Sequence, residues 1–315
     1  MSGLPECVFL LLSTTQFILG VLGNSFIVCV HGRSWLQSRR ISLSDFIVTT
    51  LALSRLILLF SLLADGVLMV FPSQVCDRGV EMHFLEIIWT FTNDLSIWLV
   101  TCLNALYCLR IASFSHPTFL WLKWRVSRLV AWMLLGALLL SCASTMSLIH
   151  EFKICSVLIG IDATRNMTEH FRKKHEYELV HGLGILWNVP PLVVSLTSCL
   201  VLLLSLGRHT REMRQHGGSA GDPSTEAHQR AIRAILSFLL LFLLYFLALL
   251  LISSSHFLPG TEMIRMTGVL IKMFYPTGHS FILIRGHNKL KQMFAEMRSC
   301  EPCRLRCGTK AAFSP

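Results

Sequence analysis

Long apolar runs alternate with short charged segments along the whole chain, near 7–30, 45–71, 83–112, 129–149, 181–206, 231–257 and 263–285. Each approaches or exceeds the roughly 20 residues that a helix rising 1.5 Å per residue needs to cross the hydrocarbon of a bilayer. Lipid offers a backbone amide no partner, so such runs satisfy their own hydrogen bonds as helices. The pattern predicts an all-α membrane protein, a bundle of seven transmembrane helices over 1–285. The remainder, 286–315, reads as a tail that opens on a basic amphipathic segment suited to a membrane surface.

Composition strengthens this reading. Charged residues make up 15% of the chain and apolar residues 53%. A soluble domain carries about 25% charge, so lipid covers much of this surface. The first run makes a poor cleavable signal, because Met1–Glu6 lacks basic residues and the apolar stretch is too long. Lys and Arg gather after the first, third, fifth and seventh runs, for example at Arg39 and Arg40, Arg125 and Arg128, Arg211 and Arg214, and Arg285 and Lys291. That bias predicts an extracellular N-terminus and a cytoplasmic C-terminus at the plasma membrane. The net charge of +10 then faces anionic lipid and does not imply a nucleic-acid partner.

Polar groups inside the runs locate candidate function. Trp89 and Asn93 stand at i and i+4 in the third run and so share a helix face. An aromatic wall beside an amide suits a small-molecule site, although Trp89 would equally fit an interfacial aromatic belt. Intramembrane charges usually pair or face water. Lys272 is therefore expected to face the same pocket, balanced by Asp94 or Asp65, unless it snorkels to the membrane surface. Asn24 in the first run needs a partner at depth, and Arg55 in the second is expected to supply it, in a polar clamp joining the first, second and seventh runs. Pro190, Pro191 and Pro276 are expected to kink their helices.

The segments between runs carry weaker signals. Cys76 and Cys155 fall in predicted outer loops, where a bridge between them and two free thiols fit the sequence equally well. Asn166-Met167-Thr168 is a glycosylation sequon on the same side. Cys300, Cys303 and Cys307 lack a fourth ligand for a metal site; free thiols or palmitoylation fit the tail better. His31, His83, His181 and His279 show no metal-ligand spacing, so neither a metal nor a cofactor is expected.

The third run ends in YCLRIASFSHPTFLWLKWRVSR, which is similar to the bitter taste receptors, the type 2 taste receptor family of G-protein-coupled receptors. The resemblance is carried by Tyr107, Cys108, Arg110, Ile111 and Ala112, then by His116 through Lys123. LALSR at 51–55, SLGRHTREM at 205–213, DPSTEAHQRAIR at 222–233 and YPTGHSFILIRGHNKLK at 275–291 extend it in order along nearly the whole chain. It implies a receptor whose small-molecule bitter agonists bind near Trp89 and Asn93, with Tyr245 beneath the ligand. It also implies coupling to a gustducin-type heterotrimeric G protein at a cytoplasmic face that includes Tyr107, Arg110, His209, His228 and Lys289. Pro276, His279 and Ser280 match the family's last helix. Two positions depart from its pattern: His287 stands where Asn is usual, and Val269 where many members carry Glu.

Three function classes separate on these features. A receptor needs an outer pocket, an inner docking face and kinked helices between them, and the chain offers each. A chemoreceptor for another small molecule, outside taste tissue, shares those features. A transporter should show internal repeats, and the halves of the chain show none. An enzyme would need a converging acid, base or metal set, which the spacing of polar residues does not provide.

Overall fold

The computed structural model describes residues 3–38, 42–71, 78–111, 117–160, 172, 186–215, 223–254 and 261–299. Among the described residues there is no β-strand. The helices are α1 (Leu4–Ser38), α2 (Leu43–Val70), α3 (Arg78–Ile111), α4 (Pro117–Trp124), α5 (Val126–Gly160), α6 (Val189–Gln215), α7 (Pro223–Ser254), α8 (Thr261–Gly286) and α9 (Asn288–Ser299). Among the described residues five stretches are long and apolar enough to cross a membrane: Leu4–Gln37, Leu43–Val70, His83–Ile111, Val126–Ile154 and Val189–Arg208. A shorter apolar stretch, Ile235–Leu250, lies in α7. The 26 residues of α8 make about 39 Å of helix, but Arg265 and Lys272 interrupt its apolar pattern.

The surface matches that composition. Leu22, Phe60, Trp132, Leu139, Leu204 and Leu240 are all exposed, spread over α1, α2, α5, α6 and α7. Apolar exposure on this scale is the surface of a protein solvated by lipid.

Helix α3 is the centre of the bundle, packed against α2, α5 and α6, while α8 packs against α1, α2 and α7. The core forms where Leu99, Val100, Leu103 and Leu106 of α3 meet Ile47, Val48 and Leu51 of α2 and Phe242 and Tyr245 of α7. Polar side chains set the register of α6 on α3. Thr101 Oγ1 lies 3.0 Å from Ser195 Oγ and 3.3 Å from the Pro191 carbonyl. At Gly20, a Cβ would come within 2.6 Å of both Leu59 Cδ1 and Thr277 Oγ1. The missing side chain therefore lets α1 approach α2 and α8 closely.

Two expectations about helix shape meet the structure here. Among the described residues Leu186 is helical, 187 and 188 form a turn and α6 begins at Val189, so the helical path is interrupted just before Pro190 and Pro191, which fall in the first turn of α6. The amide each lacks has no intrahelical partner there in any case. Pro276 does lie inside a helix, and it leaves the Lys272 carbonyl without its usual amide donor. The amphipathic segment expected after the bundle is α9, which docks on α1 through Phe294 against Phe26, with ring centroids 5.9 Å apart.

Candidate functional site: two cavities and the layer between them

The first cavity, of about 310 Å³, opens at the Trp89 end of α3. Helix periodicity brings its residues together: Glu86 and Trp89 stand at i and i+3 on α3, and Arg265, Val269 and Lys272 fall on one face of α8. Asp65 of α2 completes a lining with two acids and two bases. Lys272 Nζ sits 3.8 Å from the centre of the Trp89 ring, a cation–π contact in a site largely out of water. Its opposite-charge neighbours are Asp65 and Glu86. Trp89 Nε1 is buried without a hydrogen-bond partner, a free donor beside the cavity.

Of the two partners expected for Lys272, Asp65 lines the cavity and Asp94 does not. A residue five positions after Trp89 points about 140° away around the helix. Asp94 accordingly has Ser144 of α5 and its neighbour Asn93 as polar neighbours. Asn93 lies one turn deeper than Trp89 and is buried. The Tyr245 hydroxyl donates to its Oδ1. The two form a floor under the cavity and do not line it.

Below the floor is a buried polar and aromatic layer. Tyr245 and Tyr275 have ring centroids 4.8 Å apart, and the Arg55 guanidinium sits 5.5 Å from the centre of the Tyr275 ring. Arg55 is fully buried. It donates from Nη2 to His279 Nδ1 at 2.6 Å and reaches Ser96 Oγ from Nε at 3.4 Å. His279 packs against Phe238, centroids 4.8 Å apart. Arg55 thus joins α2 to α3 and α8. Asn24 is held separately, against expectation: Ser280 Oγ lies 2.8 Å from its Oδ1, and its own amide donates to the Gly20 carbonyl. The reason is position, since Asn24 meets the α8 face that carries Ser280 while Arg55 turns toward α3 and His279.

A second cavity, of about 430 Å³, lies at the other end of α3. Its lining includes Asn104 and Tyr107 of α3, Leu206 of α6, Phe238 of α7, His279 of α8 and His287. His279 and Phe238 therefore belong both to the layer and to this cavity's wall.

Comparison with known proteins decides the family. The family model for Taste receptor protein (TAS2R) matches residues 1–301. Taste receptor type 2 member 3 of Homo sapiens is 63% identical over 311 residues, covering 98% of each chain. The protein of that name from Papio hamadryas is 62% identical over 309 residues, again with 98% of each chain covered. The one from Rattus norvegicus is 53% identical over the full length of both. The chain belongs to the taste receptor family. It is a multi-pass membrane receptor and not an enzyme.

In this taste receptor the structure gathers Asp65, Trp89, Val269 and Lys272 at one cavity, with Asn93 and Tyr245 directly beneath. Glu86 and Arg265 were missed in the sequence. Their signal was present: Glu86 lies one turn from Trp89, and Arg265 two turns from Lys272 on the same face. At the other end Tyr107 lines the second cavity and Arg110 is exposed at the end of α3. Lys289 is tied to Ser34 Oγ of α1. His209 and His228 fall in α6 and α7, but their side chains lie outside the described residues, as do Cys76, Asn166 and the side chain of Cys155.

Proposed function

We propose that the chain is a G-protein-coupled receptor for bitter-tasting small molecules, with seven membrane-spanning helices, an extracellular N-terminus and a cytoplasmic tail from about residue 286. The supporting observation is the pair of cavities at opposite ends of α3, separated by a closed layer. The agonist occupies the outer cavity, where Trp89 offers an aromatic wall and Asp65, Glu86, Arg265 and Lys272 offer polar contacts of both signs. A few polar groups in an apolar cleft are the usual makeup of such a site. The cytoplasmic cavity beside Tyr107 and Arg110 receives a heterotrimeric G protein of the gustducin type.

Between the two cavities Arg55, Phe242 and Tyr245 are at most 1% exposed, and a transporter is disfavoured by the absence of internal repeats in the sequence. In the same topology Asn166 carries a glycan, and Cys76 and Cys155 lie on the outer side, where a bridge between them is possible chemistry. Calcium release in cells co-expressing a taste G protein tests the reading. Agonists should act only with that G protein present, and Trp89→Ala should weaken them at unchanged surface expression. An agonist panel equally potent on Trp89→Ala would place the site elsewhere.

A further inference from the structure

A cluster at the Tyr107 end of the bundle includes His287, at the wall of the second cavity, but draws on two residues that do not line it. It brings together His31 of α1, Asp45 of α2 and His287, the residue between α8 and α9. Their ligand atoms all lie within 4.8 Å of one another. His287 Nε2 is 3.2 Å from Asp45 Oδ1, and the two imidazole rings are 5.3 Å apart at their centroids.

The hydrogen bonds around His31 prepare it as a ligand. Thr49 Oγ1 donates to the Asp45 carbonyl at 2.7 Å. Its one proton is thereby spent, so toward His31 Nδ1, 3.0 Å away, it acts as acceptor. Nδ1 therefore carries the proton and Nε2 a bare lone pair. His31 is 5% exposed, and its Nε2 is buried without a hydrogen-bond partner. A histidine fixed by a hydrogen bond at one nitrogen and free at the other is how proteins present imidazole to a metal. His287 turns Nε2 toward Asp45, and its Nδ1, which carries the proton when Nε2 is a ligand, is buried without a partner.

We infer that His31, Asp45 and His287 form a binding site for a divalent transition-metal ion, Zn²⁺ by its ligand chemistry. Two imidazoles and one carboxylate suit zinc and leave a fourth position for water. Magnesium and calcium, which prefer oxygen ligands, are poorly served. Tetrahedral zinc with bonds of about 2.0–2.2 Å places its ligands about 3.3–3.5 Å apart. The His287–Asp45 edge already meets that distance, and the widest separation closes by roughly 1.5 Å to reach it. Lys289 is a positive neighbour of His31 and subtracts from the affinity, while the Asp45 charge offsets it. The bound ion fastens α1, α2 and the α8–α9 junction to one another. A bare His287–Asp45 hydrogen bond is the alternative, and it gives the lone pair on His31 no use.

The test uses the purified full-length receptor titrated with zinc chloride. Its melting temperature should rise by several degrees, and Co²⁺ in place of zinc should give the intense visible absorption of a tetrahedral site. His287→Asn, which installs the residue usual at this position in the family, should weaken zinc by tenfold or more, and His150→Asn on α5 should not. Should His287→Asn fail to fold, Asp45→Asn carries the same comparison. An equal zinc response in wild type and the ligand variants, or a pale octahedral cobalt spectrum, overturns the site.

Discussion

At Lys272, a single ammonium is held between the face of Trp89 and two carboxylates, Asp65 and Glu86. Lys272→Met keeps most of the apolar stem and removes the charge, which leaves Arg265 as the acids' opposite-charge neighbour among the described residues. A cation–π contact out of water is worth about 1–2 kcal/mol. Agonists that use the Trp89 wall should therefore shift in potency by about tenfold, with part of the shift recovered in Lys272→Met/Asp65→Asn. Dose–response curves at matched surface expression check this; unchanged curves would remove Lys272 from the site. One turn deeper, Tyr245→Phe takes the donor from Asn93 Oδ1 and strands a buried carbonyl, at a cost of about 1–3 kcal/mol. Adding Asn93→Leu should cost less than the sum of the two single changes, as measured by thermal unfolding of the purified receptor. The i, i+4 relation of Trp89 and Asn93 was legible in the sequence, but that Trp89 lines the cavity and Asn93 does not was not. Spacing fixes a face of a helix, and only the neighbouring helix decides which residue on that face meets a cavity and which meets a tyrosine.

At the scale of the element, hydrophobic run length was enough to find the long helices, because lipid makes backbone satisfaction local to each segment. Contacts between helices were less legible. Asn24 demanded a partner, yet nothing in its own run distinguished Arg55 from Ser280; that choice depends on how α1 is rotated against α8. Gly20 and Gly32 of α1 show the same point. They look alike in sequence, but a Cβ at Gly20 collides with Leu59 and Thr277 while one at Gly32 meets nothing within 4 Å. Gly20→Ala should destabilise the receptor by about 1–3 kcal/mol through overpacking. Gly32→Ala should be neutral or stabilising by up to about 1 kcal/mol, since it only removes backbone freedom from a helix. Melting temperatures of the two variants measured side by side decide the matter. Equal destabilisation would mean that α1 does not make its close approach at Gly20.

Across the whole molecule, the described side chains that lie between the two cavities, among them Arg55, Phe242 and Tyr245, are closed to solvent. Arg55 is the hinge of that layer, because its donors reach α3 and α8 while its charge rests near the Tyr275 ring. Its burial admits two roles, a packing clamp or an element that rearranges when an agonist binds, and stability alone does not separate them. Removing one member of a buried polar pair leaves the other without its partner, whereas replacing both by apolar groups of similar size is often nearly neutral. Arg55→Met and His279→Phe should each lower stability by about 1–3 kcal/mol, and the double variant should recover much of that loss. Agonist-evoked calcium release then supplies the second reading. If the layer transmits the signal, the double variant reaches the cell surface and still fails to respond, because the polar contact between Arg55 and His279 is gone. Recovery of both stability and response in the double variant would reduce Arg55 to packing, and the coupling of the two cavities would have to run through the Tyr245 and Phe242 rings instead.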